Sequence, residues 1–166
     1  MRVGLSLGSN LGNRLAQLQC AKQYLGSLAS DQRVVASAIY ETAPVHCPPG
    51  SAEFLNAVVE IGFLGSPRSL LKQILAYEAA HGRDRSAGQN APRTIDIDIL
   101  YFGDLAVADS DLTIPHPRLA TRRFVLVPLL AICPDRIVAG AGKTVRTLWQ
   151  ELPDQSGEVK FVQQDW

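Results

Sequence analysis

The fold of this chain is decided by Arg93-Thr94-Ile95-Asp96-Ile97-Asp98-Ile99-Leu100, which places two acids inside an apolar, β-branched stretch typical of a buried strand. Side chains alternate across a strand, so Asp96 and Asp98 share one face and the isoleucines share the other. The Cα atoms of the two acids should lie about 6.6–6.8 Å apart. One face of this strand should therefore meet the core, while the other carries two neighbouring carboxylates.

The two carboxylates need a compensating charge, because like charges this close repel each other and raise a pKa. A divalent cation between them removes the conflict. Mg²⁺ prefers oxygen ligands and commonly joins one or two carboxylates to substrate phosphates, so the pair indicates phosphoryl chemistry. The pattern alone leaves open a second interpretation, an ordinary half-exposed strand whose acids face water.

The composition predicts a single domain over residues 1–166, with 46% hydrophobic residues to form its core. Sixteen basic and sixteen acidic residues cancel, which argues against a nucleic-acid scaffold held by broad phosphate electrostatics. Two local groups of arginines stand out, one near the Asp pair and one after His116: Arg83, Arg85 and Arg93, then Arg118, Arg122 and Arg123. These clusters can make a focused positive cleft in a neutral protein.

We expect a cytoplasmic protein without a membrane or nucleic-acid partner. The three cysteines are odd in number and far apart, which disfavours a disulfide framework and a structural zinc site. The N-terminus enters a strand at once and has no basic-then-apolar leader. No apolar run approaches the roughly 20 residues that a membrane span requires.

The order of elements predicts an α+β fold. Strand patterns occupy residues 2–8, 33–42, 54–63 and the Asp-bearing stretch, and helical patterns occupy residues 15–28 and 67–82. The order β-α-β-β-α-β is that of a ferredoxin-like sandwich, an antiparallel sheet with both helices on one face. We expect the opposite face to remain free as a cleft into which Asp96 and Asp98 point. A C-terminal extension should add strands at 112–114 and 159–162 and helices at 124–132 and 144–152.

Two further segments invite a phosphate-binding interpretation. Gly140-Ala141-Gly142-Lys143-Thr144 resembles the end of a P-loop, but position 137 is Ile137 where that loop needs glycine, so we interpret it as a turn before a helix. His116 lies between two prolines that stiffen its backbone. With the following arginines it is a candidate phosphate donor, and the alternative is a turn histidine without a role.

Phe54 and Asn56 share one face of the third predicted strand, and Phe124 could supply a second ring. Two rings that stack on a planar heterocycle, with an amide that reads its edge, would form a specific ligand slot. More often, aromatic side chains in such a pattern simply belong to the core.

Together these motifs resemble the 6-hydroxymethyl-7,8-dihydropterin pyrophosphokinase family, whose members move a diphosphate from ATP to the pterin hydroxymethyl group and release AMP. The most specific block is Pro92-Arg93-Thr94-Ile95-Asp96-Ile97-Asp98, followed by Pro115-His116-Pro117-Arg118. The other matching motifs are Leu7-Gly8-Ser9-Asn10, Tyr40-Glu41-Thr42-Ala43-Pro44, Phe54-Leu55-Asn56-Ala57 and Gly82-Arg83-Asp84-Arg85.

The resemblance implies a role for each candidate residue. Asp96 and Asp98 would hold two Mg²⁺ ions against the ATP phosphates, and Arg83 and Arg93 would stabilise the developing charge. The remaining ATP contacts would come from Arg85, Arg93, Ile99, Thr113, His116 and Arg122, with Ile99 and Thr113 beside the adenine. The pterin would be held by Phe54 and Phe124 as stacking rings, by Asn56 at its edge, and by Thr42, Ala43 and Val45 through their backbone.

This chain also departs from the family pattern. Many members carry Arg-Trp-Gly where this chain has Gln89-Asn90-Ala91, so we expect slower closure or weaker substrate retention. We expect an active monomer whose partners are ATP and a reduced pterin. Two other functions stay open, namely a binding protein that has lost catalysis and a metal-dependent phosphoesterase built on the same acids.

Overall fold

The computed structural model describes residues 1–44, 47–83, 91–153 and 158–166. The strands are β1 Arg2–Ser9, β2 Val34–Ala36, β3 Ile39–Thr42, β4 Phe54–Gly62, β5 Asp96–Phe102, β6 Val107–Ala108, β7 Thr113–Ile114, β8 Ile137–Val138, β9 Lys143–Thr144 and β10 Val159–Gln163. The helices are α1 Arg14–Leu28, α2 Pro67–Ala80, α3 Arg123–Ile132 and α4 Val145–Gln150, with a short 3₁₀ turn at Leu119–Thr121.

The main sheet is antiparallel and has the strand order β10-β3-β4-β1-β5, with β2 also paired to β4. The predicted order β-α-β-β-α-β is present as β1, α1, β2 with β3, β4, α2 and β5. The expected α+β class is therefore confirmed, and the C-terminal strand β10 extends the sheet beside β3.

Helices α1 and α2 cover one face of the sheet. Leu18 and Leu25 of α1 and Ile74 of α2 are fully buried in one core cluster. Ile97 and Ile99 of β5 belong to the same cluster, so the isoleucine face of the Asp-bearing strand meets the helices as predicted. Helix α2 begins as expected, because the Ser66 side chain accepts the N–H of Ser69 and Pro67 occupies the first helical turn.

The expectation that the sheet face opposite α1 and α2 stays free is wrong. A second core cluster joins Val58, Leu100 and Tyr101 of the sheet to side chains of the C-terminal helices: Val125, Leu126, Leu129 and Leu148. Helix α3 is almost wholly apolar and must be buried, and the apolar half of this sheet face accepts it. The open cleft is therefore confined to the end of the sheet where the acids lie.

Several predicted elements differ in their bounds. The expected strand at 33–42 is interrupted, because the Ser37 hydroxyl accepts the N–H of Val58 at 3.0 Å and donates to the carbonyl of Ala38. The Ser37 hydroxyl thus accepts an inter-strand hydrogen bond that a backbone carbonyl would otherwise accept. Strand β7 and helix α4 are shorter than predicted.

The glycine-rich stretch 140–144 forms the end of the β8–β9 hairpin turn and β9 itself, with Gly140 and Gly142 at positive φ. Helix α4 follows at once, so the interpretation as a turn before a helix is confirmed. Most of the predicted loop at 83–92 lies outside the described residues. Within the described part of the chain, no helix combines the length and apolarity that crossing a bilayer requires.

Candidate active site

Asp96 and Asp98 lie side by side on the sheet face opposite α1 and α2. In the β1–β5 ladder Gly8 pairs with Asp96 and Ser6 pairs with Asp98. In the next ladder Gly8 also pairs with Asn56. Because directly opposed residues point to the same face, Asn56, Gly8 and Asp96 form one row across three strands. The amide and the first acid thus face the same cleft.

The Asp96 carboxylate is held by two arginines. Arg83 forms an ion pair with one oxygen, and Arg93 donates to the other at 2.8 Å. Burial alone would lower the pKa of Arg83, but Asp96 and then Glu78 outweigh it and raise that pKa. Both arginines therefore lie next to the acid, where they can stabilise negative charge on a phosphate.

Asp98 has looser partners and a shifted pKa. Its Oδ2 lies 3.7 Å from an Arg122 nitrogen and 3.8 Å from His116 Nε2, and its side chain is 38% exposed. Partial burial, and after it the charge of Asp96, raise the pKa of Asp98 to about 6, although Arg122 and Arg83 oppose the rise. The two ionised carboxylates would therefore repel each other, and a bound cation would offset this repulsion.

His116 is held in a defined tautomer. Its Nδ1 accepts the N–H of Arg118 at 3.0 Å, so a neutral ring carries its proton on Nε2, the atom nearer Asp98. Burial, followed by Arg122 and Arg118, lowers the pKa of His116 to about 4. The ring is thus a neutral hydrogen-bond donor at physiological pH. Its backbone N–H donates to the Leu100 carbonyl at 2.8 Å, which fixes it beside β5.

Sequence reasoning missed Glu78, a helix residue that is 1% exposed. Its Oε1 accepts from Arg83 at 2.6 Å and from the Ile97 N–H, between the two acids, at 2.8 Å. A signal was present in the sequence: Glu78 follows Leu70, Ile74 and Tyr77 on the apolar stripe of α2, where a charge needs a buried partner.

Asn10, the last residue of the Leu7-Gly8-Ser9-Asn10 motif, holds the Arg93 segment. The Asn10 Oδ1 accepts the Arg93 N–H at 2.8 Å, and the Asn10 N–H donates to the Arg93 carbonyl at 3.1 Å. Nothing in the local sequence pattern predicts this contact, because the two residues lie 83 positions apart.

The aromatic and amide side chains gather at the open end of the sheet. Asn56 and Thr42 are buried, and Asn56 Nδ2 donates to Thr42 Oγ1 at 2.8 Å. This bond leaves Asn56 Oδ1 and one amide hydrogen for a ligand. Both rings are half-buried and carry an arginine 5.3 Å from the ring centre, Arg93 at Phe54 and Arg122 at Phe124. The rings therefore lie next to these two arginines rather than sealed in the core.

The other predicted residues have different surroundings. The Ile99 side chain is buried in the core, so any nucleotide contact there must use its backbone. Thr113 is exposed on β7, which lies next to β5, and Ala43 is exposed just after β3. Val45 and Arg85 lie outside the described residues.

The donor set suits magnesium held together with phosphates. Two carboxylates share one face, and each oxygen of Asp96 keeps a lone pair beyond its arginine bond. Among residues 1–44, 47–83, 91–153 and 158–166, no group of three His, Cys, Asp or Glu side chains forms a complete metal site. A magnesium ion here would thus need oxygen ligands from a bound phosphate or from water.

The fold and the site define a ferredoxin-like α+β protein that presents two acids, three arginines and a histidine at one end of an antiparallel sheet. The family model described as 7,8-dihydro-6-hydroxymethylpterin-pyrophosphokinase matches residues 4–134. The chain belongs to this family.

Individual relatives agree with this assignment. The 2-amino-4-hydroxy-6-hydroxymethyldihydropteridine pyrophosphokinase of Methylorubrum extorquens is 40% identical over 94% of this chain and 96% of its own length. The protein of the same name from Haemophilus influenzae is 34% identical over 95% of this chain and 94% of its own.

A solved structure supports the fold. The crystal structure of wild-type Plasmodium falciparum HPPK-DHPS aligns with a TM-score of 0.70 at 16% identity and covers 90% of this chain. The match spans 44% of the Plasmodium chain, so this chain corresponds to less than half of that protein.

Proposed function

We propose that this chain transfers a diphosphate from ATP to the hydroxymethyl group of 6-hydroxymethyl-7,8-dihydropterin, giving AMP and the pterin diphosphate in folate biosynthesis. Family membership supports this reaction. The observation that connects this reaction to particular residues is the row of Asn56, Gly8 and Asp96. It puts the Asn56 amide, which can hydrogen-bond the edge of a heterocycle, on the same sheet face as the acids.

ATP phosphates would bind among the basic side chains around the acids. Arg93 and Arg122 are largely buried cations, and neutral His116 offers the Nε2 hydrogen. Arginines fixed by acids lose little conformational freedom when they meet a phosphate, which favours planar, bidentate contacts. Arg85, and the backbone near Ile99 and Thr113, complete the proposed nucleotide site.

Asp96 and Asp98 would hold the two Mg²⁺ ions together with the ATP phosphates. The raised pKa of Asp98 supports this role, because burial and then the neighbouring Asp96 disfavour its ionised form, and a bound cation would offset both effects. Bound magnesium would neutralise phosphate charge and orient the phosphate oxygens for transfer.

The pterin would lie between Phe54 and Phe124, with its edge on the free hydrogen-bonding atoms of Asn56. The Asn56–Thr42 bond fixes which amide atoms remain, and this selects a matching donor and acceptor pattern on the ring. Backbone atoms of Thr42, Ala43 and Val45 would add contacts along the same edge.

Catalysis would then rest on positioning and on charge stabilisation. The hydroxymethyl oxygen attacks the β-phosphorus of ATP and gives up its proton to water, the bond from that phosphorus to the α,β-bridging oxygen breaks, and AMP leaves with that oxygen. Arg83 and Arg93 would stabilise the charge that develops on the transferred group. Because Asp96 already holds both arginine side chains by ion pairs, they need little rearrangement to stabilise this charge.

We also propose that residues 1–166 act as one domain, as a monomer and in the cytoplasm. Cys20 and Cys133 carry free thiols, which fits a reducing compartment. Light scattering after size exclusion, with a mass near 18.0 kDa, would support the monomer.

Nucleotide product analysis tests the function. With ATP, Mg²⁺ and the reduced pterin, we expect AMP and pterin diphosphate in equal amounts, and no AMP when the pterin or Mg²⁺ is left out. Tight binding of both ligands without turnover would instead favour a binding protein, and inorganic phosphate without pterin a phosphoesterase. Asp98→Ala should abolish AMP, whereas Asp104→Ala, at a 97% exposed acid beyond β5, should not.

A further inference from the structure

Asn10 is a buried amide at which two segments of the site meet. It is 3% exposed and lies directly after β1. On one side it makes the two bonds to the Arg93 backbone. On the other side its Nδ2 donates to the Ala52 carbonyl at 3.3 Å. A single side chain therefore joins residues 52 and 93, which are far apart in the sequence.

The two segments serve opposite ends of the proposed site. Arg93 reaches Asp96, and so it belongs to the phosphate end. Ala52 lies two residues before Phe54, the ring at the pterin end. Residues near Asn10 strengthen the second contact, because Arg14 donates to the Glu53 carbonyl at 2.7 Å. The segment 10–14 thus fixes the approach to Phe54 at two adjacent carbonyls.

We propose that Asn10 is a positioning residue that couples the pterin slot to the phosphate site, an inference that rests on the proposed function. A ligand that orders Arg93 also fixes Asn10, and Asn10 then holds the segment that leads to Phe54. The second ligand consequently has less backbone to order when it binds. The coupling is reciprocal, so each substrate should strengthen binding of the other.

The side chain is suited to this task because it needs both a donor and an acceptor. Oδ1 accepts the Arg93 N–H while Nδ2 donates to Ala52. A carboxylate would keep the acceptor and lose the donor. Asn10→Asp therefore keeps the bond from the Arg93 N–H and loses the bond to the Ala52 carbonyl. Asn10→Ala removes both side-chain bonds and leaves the backbone bond to the Arg93 carbonyl.

Three residues on, Asn13 offers a matched control. Its side chain accepts the N–H of Ala16 at 3.1 Å and caps α1. Asn13→Ala deletes the same amide from the same segment without touching residues 52 or 93. It should lower Tm by about 2–4 °C and leave the coupling between ligands unchanged.

The experiment measures the Kd of the reduced pterin by calorimetry with and without a saturating, non-hydrolysable ATP analogue and Mg²⁺. In the unmodified chain the analogue should tighten pterin binding at least fivefold. Asn10→Ala should reduce this ratio to below twofold. Asn10→Asp should raise the KM for the pterin at least fivefold with less than a twofold change in the KM for ATP.

Two results would overturn the proposal: a ratio of one in the unmodified chain, or the same ratio in Asn10→Ala as in Asn13→Ala. If circular dichroism shows that Asn10→Ala does not fold, the test is Asn10→Asp. A rise in the KM for the pterin alone would support coupling, and equal changes in the KM for the pterin and the KM for ATP would count against it. Because the binding ratio needs no turnover, it stands apart from the product analysis, whose failure would instead remove the proposed reaction.

Discussion

Arg83 and Asp96 form an ion pair that joins the segment just after helix α2 to the first residue of strand β5. The same guanidinium contacts the buried Glu78, which also accepts the N–H of Ile97. Helix, arginine and strand are therefore held as one unit around the acids. A change in this unit should alter the chemical step more than substrate binding.

Arg83→Lys tests the contact of one guanidinium with both Glu78 and Asp96. A lysine presents one compact ammonium and cannot span both acids as a planar guanidinium does. We expect kcat to fall by about 10²–10³-fold with less than a threefold change in either KM. Steady-state kinetics measures this split. Arg68→Lys, at an exposed pair with Asp109 and Asp111, should leave kcat unchanged. A variant with normal kcat and weak ATP binding would contradict the assignment.

Glu78→Ala should be strongly destabilising. The substitution removes a buried partner of Arg83 and leaves the Ile97 N–H without its acceptor, which together should lower the free energy of unfolding by about 3–5 kcal/mol. Urea denaturation gives the value. Glu151→Ala, which breaks an exposed pair with Lys143, should cost less than about 1 kcal/mol. Similar midpoints for the two variants would show that Glu78 is not structurally important.

Asp98→Asn should stabilise the protein in the absence of Mg²⁺. Since the pKa of Asp98 rises from 3.8 to about 6 on folding, the folded state binds this proton more tightly, and stability is lost as pH rises through 6. At pH 7.5 the variant should be more stable by about 1–2 kcal/mol, a figure reduced because the side chain is partly exposed.

Thermal unfolding across the pH range measures this difference, which should shrink towards pH 4. Added Mg²⁺ with an ATP analogue should then raise the Tm of the unmodified chain more than that of Asp98→Asn. An advantage of the variant that persists unchanged at pH 4 would mean that ionisation of Asp98 is not its cause.

Gly8→Val should block the pterin slot. A Cβ at Gly8 would lie 3.5 Å from Asn56 Oδ1 and 3.7 Å from the Phe54 ring, an ordinary contact that alanine can make. The extra methyl groups of valine would stand between the amide and the ring. We expect the KM for the pterin to rise at least about tenfold for Gly8→Val and less than about threefold for Gly8→Ala. Equal kinetics for the two variants would place the pterin elsewhere.

Local periodicity was enough to predict the Asp-bearing strand, because alternation alone determines which side chains share a face. The same reasoning predicted helix α3 but not its position, since an apolar helix must be buried and its sequence does not say on which surface. The roles of Glu78 and Asn10 come from contacts 19 and 83 residues away, respectively. Such contacts depend on how the elements pack, and no local pattern contains them.

The row of Asn56, Gly8 and Asp96 has a consequence for inhibitor design. Two inter-strand spacings separate the outer Cα atoms, a span of about 9.5 Å. Backbone hydrogen bonds, rather than a loop, determine this length. A two-headed compound that joins a pterin-like ring to a diphosphate mimic should therefore bind best with one rigid spacer length, and each added methylene should weaken it.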